Sequence, residues 1–335
     1  MKIIIAGPDS VHITNFFNQM NFDDEVCYIG EYENFRPTNN SYHYSFRSFN
    51  IFKLVKNYFL LKNKIKKINP KLIHVHQINR LAFVLSLISK KIKIPFIATA
   101  WGSDILLVPD KNFVNKLISI ATLKRCNFIT CDSDEILQKI YSLYPNANAK
   151  KVLYGIKPIT PENKENIFYS NRLHKDLYRI DKIILFFNDF IQKHDDYKLV
   201  IAGSGDNTNK LKELVNKLNL TNKVEFVGWL NNEENRKWYA KSKFYVSYPL
   251  SDGTSTSLLE ALSAGCIPVL SDIPVSYDFV KDGYNGIIIT ENESYPFERA
   301  LQINYETAAT YNINNIKNTA TAEKSKEYFN DIYMS

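Results

Sequence analysis

Residues 244–270 read FYVSYPLSDGTSTSLLEALSAGCIPVL. Phe244–Tyr248 is a short apolar run of the kind a buried strand needs. A loop of small polar residues follows, then a short helix stopped by Gly265. A second buried strand, Ile267–Leu270, comes next. Short buried strands alternating with helices imply a parallel sheet covered on both faces. The same alternation extends outward in both directions. Strand-like runs fall at Lys2–Ala6, Leu72–His76, Phe96–Ala100, Phe128–Cys131, Lys198–Ala202, Val224–Val227 and Gly286–Ile289. Helical spacing fills Asn50–Ile68, Leu81–Lys90, Lys175–Lys193 and Asn209–Leu218. Polar residues between Tyr154 and Asn166, with Pro158 and Pro161, read as a linker.

At 335 residues the chain fits about two domains of roughly 150 residues each. The reading is α/β: two doubly wound, Rossmann-like domains over residues 1–153 and 160–305, facing a central cleft. A closing helix over about 316–335 crosses back to the first domain. Ligands of such sheets sit beyond the carboxyl ends of the strands.

Composition narrows the class of function. Met1-Lys2 runs straight into the first strand, so no secretory leader is expected. The longest apolar stretch, Leu81–Ile88, is too short to span a bilayer. Four cysteines without metal-ligand spacing read as reduced thiols in a cytoplasmic protein. Residues 1–153 hold 21 of the 42 basic side chains but only 11 of the 35 acidic ones, a net of +10 against −3 for the remainder. The first half is therefore expected to meet something anionic. Its aromatic residues are scattered rather than gathered on one surface, which argues against nucleic acid. The basic amphipathic stretch 50–69 reads as a core-packing helix, a membrane-surface helix, or both.

The chemistry centres on the quoted loop and helix. Backbone N–H groups at a helix start favour phosphate or sugar oxygens. Asp252 in the loop and Glu260 in the first turns can address different parts of one ligand. A plainer reading is also open: Ser257 and Glu260 fit a capping box, and Asp252-Gly253 alone is a common turn.

At these residues the chain resembles retaining glycosyltransferase family four, of GT-B fold. Asp252, seven residues and Glu260 match its Glu-x7-Glu motif, in an Asp-Gly-Thr-Ser form, followed by Ala264-Gly265-Cys266-Ile267-Pro268-Val269. Lys198–Gly205 resembles the family's strand and glycine loop, including Gly203. Val224–Trp229, with Gly228 and Trp229, resembles the strand whose exit loop borders the donor base. Asp282–Gly286 resembles its late turn. Asn171-Arg172-Leu173 keeps the arginine that grips the donor diphosphate. The usual lysine is replaced by Tyr178, leaving Arg179 and Lys175 as substitutes. In the first half, the Gly7–His12 loop, His74-Val75-His76 and Thr99–Asp104 stand in the expected order, with Trp101 where many relatives carry histidine.

The resemblance implies a retaining, metal-independent transfer from a UDP- or GDP-linked sugar, with no further cofactor. Asp252 and Arg172 would carry the chemistry. Glu260, Gly253, Thr254, Ser255, Arg179, Gly228, Trp229 and Gly203 would hold the donor. His12, Trp101 and Asp104 would lie on the acceptor side, although for Asp104 a helix cap near Ile105 is the favoured reading. The acceptor would be a glycan or a lipid-linked sugar in bacterial surface polysaccharide or lipopolysaccharide synthesis, at the inner face of the plasma membrane. A sugar-nucleotide epimerase and a surface-binding module that has lost catalysis are the alternatives. Asp132-Ser133-Asp134 imitates a metal-binding Asp-x-Asp but sits where a helix cap is needed.

Overall fold

The computed structural model describes residues 2–20, 22, 26–48, 50–291 and 293–334. It divides into two compact units, Met1–Tyr154 with Ser325–Ser335, and Gly155–Lys324.

In the first unit the strands are β1 (Ile3–Ala6), β2 (Val26–Gly30), β3 (Ser41–His43), β4 (Leu72–His76), β5 (Phe96–Thr99), β6 (Phe128–Cys131) and β7 (Ala149–Lys151). They form one sheet in the order β3-β2-β1-β4-β5-β6-β7, every pair parallel. Side chains of a strand alternate between faces. Ile4 and Ala6 accordingly join one core and Ile3 and Ile5 the other. The first core is closed by Leu61 and Ile65 of helix Ile51–Ile68 and by Leu81, Leu85 and Ile88 of helix Arg80–Ile92. Ile13, Phe16 and Phe17 cover part of the second face, and Phe329 and Tyr333 of the last helix cover more of it.

In the second unit β8 (Glu165–Ser170), β9 (Lys198–Ala202), β10 (Val224–Gly228), β11 (Ser242–Ser247), β12 (Ile267–Ser271) and β13 (Ile287–Ile289) order as β10-β9-β8-β11-β12-β13, again all parallel. In both sheets the strand order therefore reverses once, at β1/β4 and at β8/β11, and crevices form at such switch points. Phe168 of β8 is stacked between Phe244 and Phe297, with ring centroids 4.4 and 4.2 Å away.

Differences from the sequence reading have local causes. β3 and β7 are edge strands of sequence SYH and AKK, too polar to show as apolar runs. The helix expected over Lys175–Lys193 is broken: a 3₁₀ turn, Asp176–Tyr178, ends at Arg179 with φ +45°, and Ile180–Ile191 starts afresh. The closing helix is two helices, Tyr305–Thr319 and Ala322–Met334; Ser335 lies outside the described residues. At the break, Ile156 and Thr321 form a parallel bridge. Gly155 must be glycine there, because a Cβ would lie 2.3 Å from the Thr321 carbonyl oxygen.

Candidate active site

The exit loops of β8, β9, β10 and β11 build the site in the second unit. Gly203, at φ +103°, lets the loop after β9 pass against the loop after β8; a Cβ there would stand 2.6 Å from the Arg172 carbonyl oxygen. Its N–H donates to the Gly228 carbonyl at 2.7 Å, and Gly228 itself takes φ +73°. Trp229 follows with 71% of its surface exposed, an aromatic face left open beside the loop.

Arg172 is buried, yet its guanidinium is directed toward the helix Thr256–Ser263. One terminal nitrogen donates to Asp252 Oδ2 at 2.5 Å, the other to Ser255 Oγ at 2.6 Å. The Tyr178 ring lies 4.5 Å beneath it. Arg172 Nε has no partner among the described residues. Burial pushes the Asp252 carboxyl above its ordinary value, and Arg172 opposes that without cancelling it. A guanidinium held this way is permanently charged and already oriented. Incoming phosphate oxygens would compete with Asp252 for it.

Glu260 stands on the same helix. The capping box does not form: Ser255 is the N-cap, makes no side-chain cap bond, and Ser257 lies inside the helix. The Glu260 carboxylate has no hydrogen-bond partner among the described residues. Burial raises its pKa to about 7, with only Arg236 pulling it down. A half-buried carboxylate without donors is poised to accept hydroxyl protons from a ligand. Gly253 has open space around its Cα, and its N–H turns back to Asp252 Oδ1 at 3.1 Å. Thr254 lies half-buried between them.

Arg179 is committed elsewhere. It donates to the carbonyls of Tyr248 at 3.0 Å and Pro249 at 3.3 Å and lies over the Tyr248 ring. It braces the loop after β11, leaving exposed Lys175 as the freer of the two proposed lysine substitutes. The sequence reading missed a buried tyrosine cluster under the site. Tyr169 and Asn171 both donate to Asn235 Oδ1, at 2.7 and 2.9 Å, and Asn171 also reaches the Tyr239 hydroxyl at 2.7 Å. The only available signal was Asn171 beside Arg172.

In the first unit the acceptor-side candidates separate. His12 and Trp101 come together edge to face, centroids 5.4 Å apart. Trp101 Nε1 donates to the Tyr154 hydroxyl at 3.0 Å, and the same hydroxyl meets His76 Nδ1 at 2.8 Å. Asp104 instead is buried and accepts from the backbone N–H groups of Ile78 at 2.7 Å and Trp101 at 3.0 Å. It ties the loops after β4 and β5 together. It is neither open to an acceptor nor the cap, since Gly102 holds the cap position. Ser133 caps helix Asp134–Leu143 through the Ile136 N–H, and Asp134 pairs with Lys151 at 2.7 Å. Among the described residues no three His, Cys, Asp or Glu side chains group to hold a metal.

Two parallel sheets with a glycine loop, an arginine and a carboxylate-bearing helix at their strand ends define the GT-B class of fold. The family model for glycosyl transferase 4-like domains matches residues 10–133, and that for glycosyl transferases group 1 matches residues 156–309. Both halves thus match models of glycosyltransferase domains. An N-acetylgalactosaminyltransferase of Campylobacter jejuni, named for a diphospho-undecaprenol substrate, is 23% identical over 88% of this chain and 82% of its own length. An uncharacterized glycosyltransferase of Methanocaldococcus jannaschii is 26% identical over 58% of this chain. The match spans 56% of that relative, and only 25% of an alpha-monoglucosyldiacylglycerol synthase of Streptococcus pneumoniae that is 28% identical over 32% of this chain. Among solved structures, Anabaena HepE in complex with UDP superposes with TM-score 0.79 at 12% identity, over 99% of both chains. The lipopolysaccharide outer core galactosyltransferase WaaB superposes with TM-score 0.74 at 17% identity, over 100% of this chain and 99% of that one.

Proposed function

We propose that the chain is a retaining, metal-independent glycosyltransferase that moves a sugar from a UDP- or GDP-linked donor to a glycan or lipid-linked acceptor. The observation that carries this reading is the joining of Arg172, Asp252 and Ser255 at one helix start, with Glu260 on the same helix and without a hydrogen-bond partner among the described residues. In the reaction, Arg172 and the N–H groups at the start of the helix stabilise the charge that grows on the departing diphosphate. Glu260 accepts the ribose hydroxyls, Asp252 and the Gly253–Ser255 backbone orient the sugar, and the Trp229 face borders the base. Lys175 can supply the second phosphate contact that Tyr178 cannot. On the acceptor side, the His12 and Trp101 pair forms an aromatic wall that suits a sugar face.

The names of the Campylobacter protein and of WaaB support a setting in lipid-linked glycan or lipopolysaccharide assembly. No helix among the described residues is long and apolar enough to cross a membrane. To this the reading adds peripheral attachment to an anionic cytoplasmic leaflet, which the net charge of +10 in residues 1–153 supports. The test is turnover of a nucleotide-sugar panel by the purified chain, with and without EDTA. Transfer that persists in chelator and retains the anomeric configuration supports the proposal. Loss restored by Mg²⁺ or Mn²⁺ defeats the metal-independent part, and interconversion of donor without acceptor makes the protein an epimerase.

A further inference from the structure

A groove in the first unit lies at the opposite end of the sheet from these loops. It is lined by Ser89, Lys90, Lys93, Lys124, Arg125 and Asn127, together with Ile94 and Pro95. Pro95 and Asn127 directly precede β5 and β6, so the groove sits at the amino ends of the strands. Trp101 follows the carboxyl end of β5. The strand itself therefore separates groove and acceptor-side residues by roughly 13 Å, at about 3.3 Å per residue.

Four cations converge here, and none of them has a carboxylate partner among the described residues. The surrounding sequence is equally one-sided: from Asn34 to Ser103 there are thirteen Lys and Arg residues and no Asp or Glu. The last turn of a helix ordinarily attracts lysine through its dipole, and that alone could place Lys90. Lys93 is the left-handed cap of that helix, and Lys124 caps another with Arg125 next to it. The dipole acts on each helix end separately and does not explain why both ends open on the same groove.

Two details point to a ligand. Arg125 is anchored by the Ala121 carbonyl and the Phe83 ring, which leaves Nη2 uncommitted and Nε buried without an acceptor. Asn127 Oδ1 accepts the Phe96 N–H at 2.8 Å, which fixes the amide, and its NH₂ has no acceptor among the described residues. The cluster also continues along the surface. Lys62 lies beside Lys91 and near Lys66, and desolvation together with those charges lowers its pKa.

We propose that this groove is a second anion site, separate from the donor site, that binds a phosphate group. An arginine fork, an amide donor and three ammonium groups match a tetrahedral dianion better than a planar monoanion. The phosphate can come from a soluble ester or from a lipid headgroup.

Calorimetric titration of the full chain with inorganic phosphate, at ionic strength held constant with chloride, tests this. Saturable binding is expected. The exposed pair Lys90→Gln with Lys124→Gln should weaken it roughly tenfold, the loss expected for one charge-assisted hydrogen bond. Arg172→Gln, which alters the donor site, should leave this binding in place. Absence of saturable binding overturns the site, as does a double variant that binds like the wild type. Loss of the effect in Arg172→Gln alone would move the phosphate to the donor loop and equally overturn it. Flotation with phosphatidylcholine vesicles, with and without phosphatidic acid, separates the sources. Attachment that the double variant loses assigns the lipid headgroup, and phosphate binding without attachment assigns the soluble ester.

Discussion

Glu260 makes a pH signature available. Its pKa is raised from the ordinary carboxylate value to about 7 because burial disfavours the charge. A raised acid contributes stability that is complete below its unfolded value and is lost as pH rises through about 7. In the proposed role ribose hydroxyls would donate to the charged form, so a nucleotide diphosphate should bind more tightly as pH rises through that value, with release of a proton. In Glu260→Gln the pH dependence should flatten, and affinity should fall by about 1–3 kcal/mol. Calorimetry in buffers of different ionisation enthalpy checks both; a pH-independent wild type would remove Glu260 from the donor contacts. Arg172 and Asp252 behave as a pair. Arg172→Ala leaves a largely buried carboxylate without its cation and should cost about 1–3 kcal/mol in a melt. Adding Asp252→Asn should recover part of that, since contacting residues are not additive. Equal, additive losses would mean the ion pair is not the resting state. None of this pairing is written locally: the partners are 80 residues apart, and only the fold brings them together. What sequence did carry was the residue types at each loop. Asp104, by contrast, was read as an acceptor-side group or a helix cap, because nothing in its neighbourhood announces that Ile78 and Trp101 bond to it.

Among the elements, the final helix has the clearest energetic role. Phe329 packs edge to face on Phe16 with centroids 5.0 Å apart, and the Tyr333 hydroxyl meets His74 Nδ1 at 2.7 Å. His74 Nε2 continues to Thr99 Oγ1 at 2.7 Å. Phe329→Ala should cost about 3–5 kcal/mol, and Tyr333→Phe about 1 kcal/mol, measured as shifts in denaturant midpoint. Burial lowers the His74 pKa to about 3. A depressed histidine contributes stability present above its unfolded value near 6.5 and lost as pH falls toward about 3. His76 beside it is lowered in the same direction, by burial and by His74. The first unit should therefore weaken on acidification below about 6.5, and His74→Asn should reduce the slope. A melt insensitive to pH over that range would show that these rings do not stay neutral and buried. The helix was foreseeable from the spacing of Tyr328, Phe329, Ile332 and Tyr333. Its separation from Tyr305–Thr319 was not, because the break depends on Ile156 pairing with Thr321. Most central strands were legible as apolar runs because both of their faces are buried, but β2 (Val26–Gly30), equally buried, was not among the runs read from sequence.

At the scale of the whole molecule, the excess positive charge of residues 1–153 has a place on the surface. The helices Ile51–Ile68 and Phe113–Leu123 contribute to the same core under one face of the first sheet. Away from that core they leave Phe52 84%, Phe113 73%, Ile51 66% and Val114 62% exposed, too many large apolar side chains for an ordinary solvated face. Lys62, Lys66 and Lys67 lie toward the end of the first of these helices. Lys64, which sequence would group with them, is drawn over the Tyr42 ring at 3.7 Å. Near an anionic leaflet each basic residue contributes about 1 kcal/mol, screened by salt, while inserted aromatic side chains are not screened. The two contributions can be separated. Phosphatidylglycerol vesicles should bind the protein at low salt, and Lys62→Gln, Lys66→Gln and Lys67→Gln together should remove most of that binding and its salt dependence. Phe52→Ser with Phe113→Ser should instead lower the residual binding that survives high salt. Sedimentation with neutral phosphatidylcholine vesicles completes the comparison, because only the apolar contribution operates there. If neither set of changes alters sedimentation, the exposed aromatic face is not a membrane surface and the proposed acceptor must reach this chain from solution.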